Sequence, residues 1–212
     1  TYSFKDRGGR QVVIRPEMTP TVSRMVAGKR QELGYPLRWY SIPNLWRYER
    51  PQRGRLREHW QLNIDIFGVE DISAEKELLH LIDCIFKAFG AKPSMYEIRL
   101  NNRELIDFVL GKEVGLSEKS AYKVSKLIDR YAKMSKTEFI TAVDEVLTDK
   151  EKQSGATEKL MAFLAVDDIK KLPESVKSTD GYNQIADVLS SLKTSGIKNA
   201  RFDPTLMRGF DY

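Results

Sequence analysis

The chain of 212 residues holds one cysteine, Cys84, and two histidines, His59 and His80, and it has no apolar run long enough to span a bilayer. A lone thiol closes no intrachain disulfide, so a cystine-stapled scaffold is excluded, and a reducing cytoplasmic setting is the expectation. Cys84 falls within the apolar pattern Leu-Leu-His-Leu-Ile-Asp-Cys-Ile-Phe and reads as a buried helical thiol. Two histidines and one cysteine make no zinc-ligand spacing, so no structural metal is expected. With neither an apolar span of about 20 residues nor a visible secretory leader, no membrane association is expected.

Charge of one sign is scarce as well. The 35 Lys and Arg against 30 Asp and Glu leave a net charge of only +5. Much of that excess lies in residues 1–60, where arginine dominates over lysine, while the later half balances its charges. Basic character confined in this way points to a site, not to a generally adhesive surface.

The densest signal is residues 37–68. Arg38 to Glu49 is rich in aromatic and β-favouring residues, and His59 to Phe67 alternates Gln61, Asn63 and Asp65 with Leu62, Ile64 and Ile66. Side chains two apart share a face of a strand, so Arg47 and Glu49 project together, with Trp46 and Tyr48 behind them, and Gln61, Asn63 and Asp65 form a second polar row. Any half-buried antiparallel hairpin shows such alternation. The joining loop is more unusual, because Arg50, Arg53, Arg55 and Arg57 surround the single Gly54. Guanidinium forks suit phosphate, and a glycine permits a sharp turn beside a ligand. A solvated basic loop is the competing reading of the same residues.

Around this hairpin the pattern predicts an α+β fold, an antiparallel sheet flanked by helices. Tyr2-Ser3-Phe4 and Gln11 to Ile14 flank a turn at residues 6–9, and Thr19-Pro20 opens a helix to about Arg30, with threonine capping. A helix from Ser73 to about Phe89 carries an apolar stripe of Leu78, Leu79, Ile82, Ile85, Phe86 and Phe89, and a strand follows at residues 96–100. Residues 102–195 are lysine-rich with apolar residues at helical spacing, broken near 111–117, 135–137, 154–155 and 172–173, which predicts several short helices. A last helix from Gly181 to Gly196 leads to a strand beginning at Arg201-Phe202-Asp203 and delivering Arg208.

Three segments together resemble the histidyl-tRNA synthetase family of class II aminoacyl-tRNA synthetases. Trp46-Arg47-Tyr48-Glu49, Arg50-Pro51-Gln52-x-Gly54-Arg55, Gln61 and Asp65 before Phe67-Gly68 are similar to motif 2. Ile14-Arg15-Pro16-Glu17-Met18-Thr19 resembles the family's Leu-Arg-Pro-Glu-x-Thr segment, and Arg208-Gly209-Phe210-Asp211-Tyr212 resembles its Arg-Gly-Leu-Asp-Tyr-Tyr motif. The resemblance covers nearly the whole chain and is weakest from about 104 to 180. It implies a class II synthetase-like core in residues 1–101 and 181–212, with an all-helical insertion at 102–180. It also implies a chain cut at both ends, lacking motif 1, motif 3 and an anticodon-binding domain.

The activity implied is attack of the histidine carboxylate on the α-phosphorus of ATP, brought as its Mg2+ complex, followed by transfer to tRNA(His). By the same resemblance Arg47 and Arg208 are the catalytic pair. Glu17, Thr19, Arg47, Gln61, Asp65, Arg208 and Tyr212 bind histidine; Glu17 and Gln61 take its amino group and Asp65 an imidazole N–H. Arg47, Glu49 and Arg55 bind ATP, and Arg50, Arg53 and Arg57 contact the tRNA acceptor end. A homodimer is implied for the full-length protein. Asp65 stands where many bacterial members carry glutamate, and Met18 where glycine is frequent. The alternative is a family-like regulatory protein without catalysis, either a subunit of ATP phosphoribosyltransferase or a module that senses uncharged tRNA.

Overall fold

The computed structural model describes residues 1–50 and 52–207. The chain divides into two compact units, Thr1–Ala74 and the residues from Glu75 on.

The first unit opens with the expected hairpin, β1 (Ser3–Lys5) against β2 (Gln11–Val13), antiparallel with Ser3 opposite Val13. Asp6 closes its turn. One carboxylate oxygen accepts the amides of Gly8 and Arg10, both at 2.9 Å, and the other takes Nε of Arg10 at 2.8 Å. Helix α1 (Thr19–Lys29) follows, but Thr19 does not cap it. The cap position falls on Met18, which lies in helical backbone geometry, and its carbonyl receives the amides of Thr21 and Val22. Pro20 sits in the first turn, where a missing N–H costs no helical bond.

The long hairpin is present as two ladders. Strand β3 (Leu37–Ser41) pairs with β6 (Asn63–Phe67), and β4 (Asn44–Trp46) pairs with β5 (Glu58–Trp60), all antiparallel. Ser41 lies opposite Asn63 and Asn44 opposite Trp60, so one register continues across the gap. Pro43 explains the interruption, since it has no N–H for the ladder, yet its carbonyl still accepts the amide of Gln61 at 3.2 Å. Val22 and Val26 of α1 form a small core with Leu37, and Met18, Leu33, Trp39 and Phe67 pack against it.

Helix α2 (Ser73–Ala88) lies in the second unit from Glu75 on, and its last turn is followed by Gly90 at φ +80°. Half of its apolar stripe is exposed, Phe89 at 85% with Ile82 and Phe86, while Leu78, Leu79 and Ile85 are half-buried. The buried position of α2 is Asp83, held by the phenol of Tyr96 and by Lys87 Nζ at 2.6 Å. Cys84, one residue further round the helix, is therefore exposed and not the buried thiol the sequence predicts.

Strand β7 (Ile98–Leu100) pairs with β8 (Ala200–Phe202) in parallel, a long-range pairing invisible to local patterning. Between them the described residues form only helices: α3 (Arg103–Phe108), a π turn (Val109–Glu113), α4 (Glu118–Ile128), α5 (Lys136–Val146), α6 (Asp149–Gln153), α7 (Ala156–Leu164), α8 (Glu174–Lys177), α9 (Asp180–Thr194) and short 3-10 turns. One apolar core runs through them, from Leu105, Val124, Phe139 and Leu160 to Ile185, Phe202 and Met207. The strand expected to carry on toward residue 208 ends at Phe202. Asp203, 5% exposed, turns the chain there by accepting the amide (3.0 Å) and hydroxyl (2.7 Å) of Thr205 and pairing with Arg99 and Arg201.

Gly181 sets how closely α9 approaches α3. A Cβ there would lie 2.7 Å from both Asn102 Oδ1 and the Leu105 amide nitrogen. Alanine improves helix propensity by up to about 1 kcal/mol, but the overlap is with backbone and with the residue capping α3. Gly181→Ala is therefore expected to destabilise the protein by about 1–3 kcal/mol, read as a lower urea midpoint. A midpoint at or above wild type would contradict this contact.

The candidate active site on the hairpin

A strand pair resting on a core normally buries its apolar row and gives its polar row to water. On this hairpin the covered face is mixed, with polar side chains standing among Leu37, Trp39, Leu45 and Phe67. Opposite residues of an antiparallel pair share a face, so the observed register places Leu37, Trp39, Ser41, Leu45 and Arg47 on one face with His59, Asn63, Asp65 and Phe67. This is the face that α1 covers. Arg47, Glu49, Gln61, Asn63 and Asp65 are all half-buried. The other face presents Tyr40, Ile42, Tyr48, Trp60 and Leu62 as exposed side chains, Tyr40 at 75% and Trp60 at 71%, with Ile64 and Ile66 half-buried. Turning a polar row inward costs desolvation, which the hairpin alone does not recover.

The segment carrying Glu17 and Thr19 is tied to this hairpin. The amide of Trp46 donates to the carbonyl of Arg15 at 2.9 Å, and Nε of Arg47 donates to the carbonyl of Pro16 at 2.9 Å. The second bond fixes the plane of the Arg47 guanidinium through one nitrogen and leaves its Nη edge to point elsewhere. Glu17 and Thr19 are exposed beside this attachment.

Asp65 Oδ2 accepts a 2.6 Å hydrogen bond from Nδ2 of Asn63. Burial pushes the Asp65 carboxyl above its ordinary range, and the Asn63 donation offsets only part of that rise. Asn63 belongs to the polar row legible in the sequence, but alternation alone assigns it no task. Ser41, directly opposite it, has a buried hydroxyl without a partner among the described residues. No sequence signal distinguishes that serine.

The loop turns as its glycine predicts. The amide of Arg55 donates to the carbonyl of Gln52 at 2.9 Å, and Gly54 takes φ +78°, as a type II turn requires at its third residue. Arg50, Arg53, Arg55 and Arg57 are exposed. Arg55 reaches Glu49 at 3.8 Å, a loose and partly exposed pair that contributes little to stability. Arg57 is engaged by the hairpin itself, donating to the Glu49 carbonyl at 3.2 Å and lying 4.9 Å from the centre of the Tyr48 ring. Arg208 and Tyr212 lie outside the described residues. Among the described residues no group of three or more His, Cys, Asp or Glu is placed to hold a metal ion, and no helix is long and apolar enough to cross a membrane.

The α+β fold with its arginine-tipped hairpin is that of solved histidyl-tRNA synthetase structures. The solved histidyl-tRNA synthetase of Nostoc sp. matches the whole chain with a TM-score of 0.78 at 17% identity, over 49% of its own length. A Bacillus halodurans structure described as an ATP phosphoribosyltransferase regulatory subunit/histidyl-tRNA synthetase matches 98% of the chain at a TM-score of 0.76 and 20% identity, over 54% of its length. The chain belongs to the histidyl-tRNA synthetase family, whose model matches residues 1–212. The histidine–tRNA ligase of Leptospira biflexa is 43% identical over the whole chain and that of Thermoplasma volcanium 35%, the matches covering 48% and 49% of those proteins. The chain thus spans about half the length of the curated relatives it matches.

Proposed function

We propose that this chain supplies the histidine-activating half of a histidine–tRNA ligase. A carboxylate oxygen of histidine bonds to the α-phosphorus of ATP, the bond from that phosphorus to the bridging oxygen breaks, and pyrophosphate leaves with its Mg2+. The attacking and leaving groups belong to the substrates, so the protein's work is alignment and neutralisation of charge. Arg47 spans the histidine carboxylate and the α-phosphate, with Arg208 as its partner. Glu49 receives the adenine end of ATP, and Arg55 the terminal phosphates. Glu17, Thr19 and Gln61 hold the α-amino group, Asp65 accepts an imidazole N–H, and Tyr212 contributes to histidine binding. Arg50 and Arg53, with Arg57 anchored behind them, face the acceptor end of tRNA(His), to which the histidyl group then passes. The working protein is a cytoplasmic homodimer, with residues 102–180 as a helical insertion in its catalytic core.

The observation that carries this reading is the inward polar row, tied at Arg15 and Pro16 to the segment bearing Glu17 and Thr19. Burial of these groups acquires a purpose if a polar substrate completes their hydrogen bonds. The test is histidine-dependent exchange of pyrophosphate into ATP by the full-length protein. Exchange that requires histidine and no other amino acid supports the proposal. Saturable histidine binding without exchange would move the chain to the second reading, a regulatory protein, which the likeness to the Bacillus halodurans structure brings into view.

A further inference from the structure

One side chain of the inward row has no task in the reaction just described. Asn63 and Asp65 share one face of β6, and the carboxamide nitrogen of Asn63 donates to Oδ2 of Asp65 at 2.6 Å. We infer that Asn63 is a positioning residue for the histidine side chain: it holds Oδ2 of Asp65, so that Oδ1 is presented to an imidazole N–H. The inference rests on Asp65 being the imidazole acceptor.

Asp65 has few other constraints. A carboxylate turns easily about its last torsion, and the residue directly opposite is Trp39, which packs against the apolar core beneath α1. Asn63 is fixed by the β3–β6 ladder, and a partner two residues away on one strand face keeps its spacing without help from a loop. The bond also acts on charge. Burial favours the neutral acid at Asp65, whereas an N–H donated to Oδ2 favours the carboxylate, the form whose Oδ1 can only accept. A neutral acid would offer an O–H and pair with the wrong edge of the ring.

The other side of the ladder fits a polar ligand at this place. Ser41 lies opposite Asn63, and its buried hydroxyl has no partner among the described residues. Buried hydroxyls left without a protein partner are uncommon and mark positions that water or a ligand completes.

The experiment compares Asn63→Leu, Asn63→Asp and Asp65→Ala in the full-length protein by histidine-dependent pyrophosphate exchange, with folding checked by thermal denaturation. Asn63→Leu keeps the size of the side chain and removes the donor. It should raise KM for histidine about 10-fold, while kcat and KM for ATP change less than about 3-fold. Asn63→Asp is nearly isosteric and sets a second carboxylate against Asp65, so it should raise the histidine KM further than leucine does. Parallel losses in kcat and in both KM values would mean a merely structural role and overturn the inference. So would a histidine KM within 2-fold of wild type in both Asn63 variants while Asp65→Ala raises it. If Asp65→Ala itself leaves the histidine KM unchanged, the assignment of Asp65 fails, and the inference with it.

Discussion

Arg47→Ala should lower kcat/KM for histidine-dependent pyrophosphate exchange by about 10³-fold, near 4 kcal/mol, with most of the loss in kcat. Charge on the α-phosphate oxygens grows as the carboxylate attacks, so a donor already aimed at that position is worth more in the transition state than in the ground state. In the proposed reaction Arg47 is that donor. Its Nε is bound to the Pro16 carbonyl at 2.9 Å, which fixes the guanidinium plane on a half-buried face. For that reason Arg47→Lys should recover little. A single ammonium on a flexible stem cannot hold Pro16 and bridge two oxygens together. Measured kcat and KM for both variants decide the matter. A rise in histidine KM at unchanged kcat would remove Arg47 from the chemical step.

Glu151→Ala should be the most damaging change in the helical unit, lowering stability by about 3–4 kcal/mol in urea denaturation. Glu151 is 6% exposed and accepts four hydrogen bonds: from the amide of Ser117 (2.8 Å), the hydroxyl of Ser120 (2.9 Å), and the amide (2.7 Å) and hydroxyl (2.8 Å) of Thr148. It thereby joins the N-terminus of α4 to that of α6. Burial by itself would raise its pKa, but the amides and hydroxyls outweigh burial and bring it from 4.5 to about 2. A depressed folded-state pKa gives stability that is complete above the unfolded value and lost as pH falls through the folded one. The wild-type protein should therefore lose on the order of 2–3 kcal/mol between about pH 5 and pH 2 from this residue, and Glu151→Ala should lack that component. Equal acid sensitivity in the two proteins would show that the network contributes nothing.

The parts of the fold that are legible in the sequence are those written locally. Alternation over residues 38–67 implies the hairpin, and Gly54 among arginines implies its turn. The helices between residues 102 and 195 follow from apolar spacing broken by glycine, serine and proline. Pro43 carries a signal for the interrupted ladder, since proline cannot donate within a strand. What local pattern cannot show depends on partners far away in the chain. The parallel pairing of β7 with β8 joins residues about a hundred apart, and Glu151 satisfies Ser117 and Ser120 in addition to its own capping threonine. Periodicity identifies an amphipathic element without saying what covers it. Hence the stripe of α2 reads as core although Ile82, Phe86 and Phe89 are exposed.

The candidate site divides in the same way. Period two places Arg47 with Glu49, and Gln61 with Asp65; in the structure all four are half-buried, but β4 ends at Trp46 and β6 begins at Asn63, and the Glu49 amide turns back to the Arg47 carbonyl, so of the four the strand ladders hold Asp65 alone. That the face carrying Asp65 is the one beneath α1 requires the packing of Val22 and Val26 on Leu37. The bond from Asn63 to Asp65, and a buried Ser41 hydroxyl without a partner among the described residues, are seen only in the structure.

If the inward row aligns histidine with ATP, the full-length protein should bind a non-hydrolysable histidyl-adenylate analogue, its phosphate replaced by a sulfamate, far more tightly than histidine or ATP alone. Calorimetry should give a Kd at least about 10²-fold below that for histidine, and Arg47→Ala should erase most of that gain. An analogue bound no more tightly than histidine, or equally well by the Arg47 variant, would contradict the account.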